Sequence, residues 1–143
     1  MKNPLSDFEE RRGVEFSKDD EVVMENERAG NVSFAIKWEG AKKQSTLSLM
    51  EGNEKVLKGK KNQPDNYPRA VTESDEWTTI LAVDCRGLEP MGWNRGVDEF
   101  VIESSAGSTF QEDVDLTDDW CEYCEKAEES VGVNNIEWRW SAL

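Results

Sequence analysis

The stretch VSFAIKW, residues 32–38, decides the fold class of this 143-residue chain. Its large apolar side chains stand at every second position: Val32, Phe34, Ile36 and Trp38. Successive side chains of a β-strand point to opposite faces, so this alternation predicts a strand with one buried face. Glu39 and Gly40 close this run, and a second short apolar run begins at Thr46. The two runs predict an antiparallel hairpin with its loop at residues 40–44.

Further short apolar or alternating runs follow along the chain, at residues 77–85, 98–103, 110–116 and 136–140. Short strands separated by turns predict a mainly β fold, an antiparallel β-sandwich-like arrangement. A length of 143 residues is near the commonest domain size. We therefore predict a single domain over residues 14–143, preceded by a variable N-terminal arm at residues 1–13.

Residues 118–131 are the exception to the strand pattern. Their larger side chains recur at i, i+3, i+4, i+7 and i+11: Trp120, Tyr123, Cys124, Ala127 and Val131. This spacing predicts one amphipathic helix near the C-terminus. Asp118 and Asp119 suit the positive end of a helix dipole, and Gly132 is a natural stop.

The composition excludes several classes of function. The chain has 31 acidic and 17 basic residues, a net charge of −14, which disfavours nucleic-acid binding across a broad face. It has no histidine, which removes the usual general base and every His-containing zinc site, and we expect no enzymatic activity. No apolar run is long enough to span a membrane, and the N-terminus lacks a signal-peptide core, so a cytoplasmic location is expected.

The charge is unevenly distributed along the sequence. Residues 98–129 contain 12 acidic residues and one lysine, whereas residues 37–69 contain eight basic and four acidic residues. A run of acids is usually a solvated face. The acidic stretch also complements a basic protein surface, and a basic-surfaced protein is the partner we expect there.

The chain has three cysteines: Cys85, Cys121 and Cys124. The CxxC at residues 121–124 is a pattern that zinc sites and thiol oxidoreductases use. A structural zinc needs four ligands, and the chain offers only Cys85 beyond this pair. The favoured interpretation is that Cys124 is a core residue and Cys121 its half-exposed neighbour. A thiol- or metal-handling protein that uses Cys121 and Cys124 with Cys85 is the alternative.

Two longer motifs resemble the UPF0587 or DUF866 family of eukaryotic CXXC-motif-containing zinc-binding proteins. They are CRGLEP at residues 85–90 and a second motif within residues 120–133 that consists of Trp120, Tyr123, EKA at 125–127 and ESVGV at 129–133, with GSTF at 107–110 and DVDL at 113–116 between them. The resemblance does not extend to the cysteines at 121 and 124, where family members usually have other residues, so this CxxC is not a displaced copy of a zinc-ligand pair. The resemblance runs from about residue 14 to residue 138 and is strongest after residue 77. It implies a compact, mostly β cytosolic protein with two antiparallel halves and one zinc held by two CxxC pairs.

The departures from the family pattern concern the zinc ligands. Trp38 and Ala41 stand where the resemblance places the second cysteine pair. The first pair belongs to an N-terminal segment that this chain lacks or has rewritten as NPLSDFEERRG at residues 3–13. The resemblance therefore implies a divergent, N-terminally shortened member whose zinc site is lost and which holds no cofactor. We expect a non-enzymatic protein-interaction module, a subunit of a larger assembly that covers a sheet edge left by missing strands.

Overall fold

The computed structural model describes residues 1–17, 19–22, 24, 32–50, 71, 72, 74–94, 96 and 99–142. The chain divides into two compact units, here called the first unit (Met1–Met91 with Ser141–Leu143) and the second unit (Gly92–Trp140). The regular structure of the described residues is antiparallel β-sheet, and no helix occurs among them. The basic cluster at residues 55–61 and the segment at residues 27–31 lie outside the described part.

A three-stranded sheet forms the centre of the first unit. Its strands are β1 (Phe34–Ile36), β2 (Ser45–Leu49) and β3 (Val83–Arg86), in the order β1-β2-β3. Phe34 pairs with Leu47, and Leu47 pairs with Cys85. The predicted hairpin between the first two strands is confirmed, because β1 and β2 are antiparallel neighbours joined by the predicted loop.

The core of the first unit forms around Trp38, Leu47 and Leu88, which are all buried. The indole Nε1 of Trp38 donates a hydrogen bond of 2.9 Å to the carbonyl oxygen of Gly87, which satisfies the polar atom of a side chain that is 8 % exposed. Gly87 has a φ of 72°, and a Cβ built on it would lie 2.5 Å from Ser45 Oγ. This position therefore requires glycine both for its backbone conformation and for its close approach to β2.

The N-terminal segment is attached to the same unit by backbone pairing. The amide of Lys2 donates to the carbonyl of Glu89 at 2.9 Å, and the amide of Glu89 donates back at 3.0 Å. Lys2 also pairs with Glu10 in an antiparallel bridge, so residues 2–10 form a small hairpin. Met1 packs against the cluster that contains Trp38.

The second unit contains two antiparallel hairpins. Strands β4 (Ile102–Glu103) and β5 (Thr109–Phe110) form one, and β6 (Trp120–Cys124) and β7 (Glu129–Val133) form the other. Its core consists of Val114, Leu116 and Trp120, against which further apolar side chains pack: Phe100, Ile102, Phe110, Val131, Val133 and Ile136. Phe110 and Trp120 meet edge to face with ring centroids 5.2 Å apart.

The predicted helix at residues 118–131 is wrong, because this segment is the β6–β7 hairpin. Trp120 and Cys124 share a face at a separation of four residues in a helix and also in a strand, so their burial fits both periods. Tyr123 distinguishes the two structures, because it pairs with Ser130 and is exposed. A loop at residues 125–128 reverses the chain, and Glu128 takes a positive φ of 55° at its end.

Other strand predictions are confirmed only in part. The run at residues 77–85 forms a strand only at its end, where β3 begins at Val83, and Trp77 is exposed. Residues 136–140 belong to none of the seven strands in the described part, although exposure alternates along them as predicted. Antiparallel, mainly β structure is confirmed, whereas the sandwich arrangement stays a prediction.

We predict that Gly87→Ala lowers the free energy of unfolding by about 1–3 kcal/mol, because alanine is strained at positive φ and its methyl group meets buried Ser45. Gly40→Ala has the same strain at φ 73° but open space around it, so the expected loss is about 1 kcal/mol. Gly92→Ala has neither problem and should change stability by less than about 0.5 kcal/mol. Urea denaturation of the three variants measures this order, and an equal loss for Gly87→Ala and Gly40→Ala would contradict the steric part.

Candidate functional site

Two tight turns form the candidate site of the first unit. The N-terminal turn, residues 3–6, is closed by a bond of 3.2 Å from the Ser6 amide to the Asn3 carbonyl, with Pro4 at its second position. The tryptophan turn, residues 38–41, is closed by a bond of 3.1 Å from the Ala41 amide to the Trp38 carbonyl. Gly40 supplies the positive φ at its third position.

The carboxylate of Glu9 connects the two turns. Its Oε2 accepts a hydrogen bond of 2.6 Å from Asn3 Nδ2, and its Oε1 accepts one of 3.0 Å from the backbone amide of Glu39. Each oxygen thus holds a different turn, and the two bonds join segments 30 residues apart. Hydrogen bonds to an ionised carboxylate are stronger than bonds between neutral groups.

A buried thiol holds a comparable pair of loops together in the second unit. Cys124 is 1 % exposed, and its Sγ lies 3.3 Å from Ser108 Oγ and 3.5 Å from Ser104 Oγ. Both serines belong to the loop between β4 and β5, whereas Cys124 ends β6. Hydrogen bonds with Ser108 and Ser104, joined by the amides of Ala127 and Lys126, lower the pKa of the Cys124 thiol from its ordinary value.

The two cysteines of the second unit do not form a common site. Cys121 and Cys124 are an odd number of residues apart on β6, so they point to opposite faces, and Cys121 is exposed. Cys85 belongs to the first unit, where burial and then the neighbouring Asp84 carboxylate raise the pKa of its thiol to about 11. All three are free thiols. The geometry of β6 thus disfavours Cys121 and Cys124 as a chelating or redox pair. The CxxC spacing alone does not reveal this, because the two cysteines lie on opposite faces only when the segment is a strand.

A known protein family matches almost the whole chain. A family model described as CXXC motif containing zinc binding protein, eukaryotic, matches residues 1–141. The chain belongs to this family. The matched range includes residues 1–13, which lie in the N-terminal hairpin and the residues after it.

Relatives within the CXXC zinc-binding family are moderately similar to the chain. The UPF0587 protein CG4646 of Drosophila melanogaster is 26 % identical over 120 residues, 83 % of this chain and 66 % of that protein. The CXXC motif containing zinc binding protein of Xenopus laevis is 34 % identical over 76 residues, 52 % of this chain and 47 % of that protein. The chain spans about half to two thirds of the length of these two relatives.

A solved structure has the same fold. The structure titled as a hypothetical protein from Plasmodium falciparum superposes with a TM-score of 0.62 at 28 % sequence identity, and the match covers 87 % of this chain and 71 % of that one. The mainly β architecture of the chain is therefore shared with a protein of known structure.

Two residues of the tryptophan turn, Trp38 and Ala41, do not fit the zinc for which the family is named. Trp38 offers only an indole N–H, which is a donor and is already bonded to Gly87, and Ala41 carries a methyl group. Zinc requires thiolate, imidazole or carboxylate donors. Both side chains instead pack in the apolar cluster of the first unit. Among the described residues, no group of three or more His, Cys, Asp or Glu side chains is placed to hold a metal ion.

Sequence reasoning missed the residues that connect the loops. Glu9 is one of 31 acidic residues, and one of its partners is a backbone amide, which no side-chain pattern reveals. Ser104 and Ser108 flank a turn at Gly107, and this local signal predicts a loop but not a thiol partner. The burial of Cys124 was predicted correctly, although from a helical stripe rather than a strand.

We predict that iodoacetamide modifies one thiol rapidly in the native protein at neutral pH, and that this thiol is Cys121. Cys124 should not react until unfolding because the reagent cannot reach a sulfur that is 1 % exposed. Cys85 should react slowly, and its rate should rise about tenfold per pH unit towards its pKa of about 11. Peptide mapping by mass spectrometry gives the three rates.

The Cys121→Ser variant is the matched control and should leave the native protein nearly unlabelled at neutral pH. Fast labelling of Cys124 in the native state, or a disulfide between Cys121 and Cys124, would contradict the strand geometry and revive the thiol-handling alternative.

Proposed function

We propose that this chain is a metal-free, non-enzymatic protein-interaction module of the cytoplasm that works as a subunit of a larger assembly. The observation that supports this best is the tryptophan turn, where an apolar indole and a methyl group stand at positions that the resemblance assigns to zinc ligands. The three free thiols fit a reducing compartment. Among the described residues, no helix is long and apolar enough to cross a membrane.

In this proposal, ordinary side chains supply the stability that a structural zinc would otherwise supply. A structural zinc joins two turns by binding a pair of ligands from each. Here the Glu9 carboxylate joins the N-terminal turn to the tryptophan turn, and the indole of Trp38 fills the core beneath. The burial of a large aromatic side chain and two charge-assisted hydrogen bonds replace the metal as sources of stability.

The proposed partner has a basic surface. The β6–β7 hairpin and its approach carry acidic side chains with one lysine among them: Asp118, Asp119, Glu122, Glu125, Glu128 and Glu129. Tyr123 lies exposed within this set, on the outward face of β6. An exposed tyrosine among acids suits an interface because tyrosine supplies apolar area and a polar hydroxyl, while the charges select an oppositely charged partner.

We predict that purified protein contains no stoichiometric zinc by elemental analysis and that a chelator leaves its unfolding midpoint unchanged. Glu9→Gln should lower the free energy of unfolding by about 1–3 kcal/mol, because the amide retains only one acceptor oxygen for two donors. Glu10→Gln is the matched control, since Glu10 is exposed and its carboxylate forms a surface ion pair with Arg12, and it should cost less than about 1 kcal/mol. One bound zinc per chain would overturn the metal-free proposal.

We also predict that binding to a partner depends on the acidic hairpin. The tagged full-length chain is used to isolate partners, and each candidate is then purified and titrated against the wild type by calorimetry. The variant Glu122→Lys, Glu125→Lys, Glu128→Lys should weaken binding, and salt should weaken the wild-type complex more than the variant complex. The reversal Glu15→Lys, at an exposed site of the first unit, is the control. If none of the purified candidates binds the chain, this result counts against an interaction module.

A further inference from the structure

The end of the N-terminal hairpin exposes two large apolar side chains. Leu5 is 95 % exposed and Phe8 is 93 % exposed, the two highest values among the exposed large apolar residues of the described chain. They stand three positions apart in one short loop, with Asp7 between them. Single exposed apolar residues are ordinary, whereas an apolar pair at the tip of one ordered loop is a typical anchor for another protein.

The loop that carries this pair is held by its own hydrogen bonds. The Leu5 amide donates to Asn3 Oδ1 at 3.0 Å, and the Phe8 amide donates to Ser6 Oγ at 3.4 Å. The Asn3 amide donates to the Glu9 carbonyl at 2.9 Å and closes the base of the loop. Pro4 restricts the backbone further. The backbone that carries Leu5 and Phe8 therefore needs little additional ordering on binding, which reduces the entropic cost of an interface.

The charge of the chain selects among the surfaces that such a pair could meet. Residues 3–10 contain three acidic residues and no basic one: Asp7, Glu9 and Glu10. The whole chain carries −14, which repels a second copy and an anionic membrane alike. A protein pocket that is apolar inside and lined at its rim by lysine or arginine complements both the apolar pair and the acid between them.

We infer that Leu5 and Phe8 are the anchors by which this chain docks into an apolar, basic-rimmed pocket of a partner protein, with Asp7 facing the rim. The inference rests on the proposed interaction function and adds a second contact, in the first unit, to the one proposed for the acidic β6–β7 hairpin. Leu5 and Phe8 provide the buried centre of the interface, and Asp7 provides its charge selectivity.

Site-specific photocrosslinking tests which surface meets the partner. The photoreactive amino acid p-benzoylphenylalanine replaces Phe8 in the full-length chain, and in a matched control it replaces Trp77, another exposed aromatic residue of the first unit. After irradiation in cell extract, we expect a protein crosslinked from position 8 and not from position 77. That protein is then expressed, purified and used as the probe for binding measurements.

Calorimetry with the purified probe tests the energetic role of the anchors. The double variant Leu5→Ser, Phe8→Ser should raise the dissociation constant at least about tenfold. It should leave the unfolding midpoint unchanged, because both side chains are exposed in the free chain. Asp7→Lys should lower the rate constant of association with the probe, measured by stopped-flow mixing, and make that rate constant less dependent on salt. Val71→Ser, which removes another exposed apolar side chain of the first unit, should leave the dissociation constant unchanged.

The outcomes separate this inference from the proposed function. A purified partner whose affinity is unchanged by Leu5→Ser, Phe8→Ser overturns the anchor role and leaves the interaction function standing. Crosslinking of position 8 only to a second copy of the chain, or binding of the wild type to phosphatidylserine vesicles that the double variant loses, overturns the choice of occupant. Failure to crosslink any protein from position 8 overturns the anchor role, and the proposed function is then decided by the isolation of partners with the tagged chain.

Discussion

The buried indole of Trp38 is the constraint on which the first unit depends. It lies just after β1, packs against Leu47 of β2 and against Leu88, and donates its N–H to Gly87 after β3. One side chain thus holds all three strands at the same end of the sheet. The hydrogen bond matters because an unpaired buried indole N–H would cost free energy, and the Gly87 carbonyl reaches it only through a backbone conformation that glycine adopts readily.

The two units share a structural problem and solve it with different chemistry. In each, two loops have to be joined at a place where short strands supply few ladder hydrogen bonds. The first unit uses the Glu9 carboxylate between an amide side chain and a backbone amide, and the second uses the Cys124 sulfur among two hydroxyls and two backbone amides. Membership of a family named for zinc makes the first of these joints the more informative, because Trp38 and Ala41 of its turn offer no donor atom to a metal.

Local pattern predicted part of this architecture and failed where two patterns coincide. Alternation at residues 32–38 predicted a strand there, and the strand β1 forms over its central residues, Phe34–Ile36. The segment at residues 118–131 was misassigned because Trp120 and Cys124 face one way in either structure, and the pairing of Tyr123 with Ser130 depends on a turn four residues long. The resemblance identified the family correctly. The role of Glu9 could not be predicted from the sequence, because its partner is the backbone amide of Glu39, which lies close to it only in the folded chain.

The joint built by Glu9 has a further consequence for the chemistry that the first unit tolerates. Zinc sites made of cysteines contain thiolates, which peroxides oxidise and which then release the metal. The joint of this chain consists of a carboxylate, a carboxamide and a backbone amide, none of which peroxide attacks under mild conditions. Cys85, the cysteine of this unit, keeps its proton up to a pKa of about 11 because it is half-buried beside Asp84. We therefore expect the joint between the two turns to persist under oxidising conditions in which a thiolate-held turn pair would come apart.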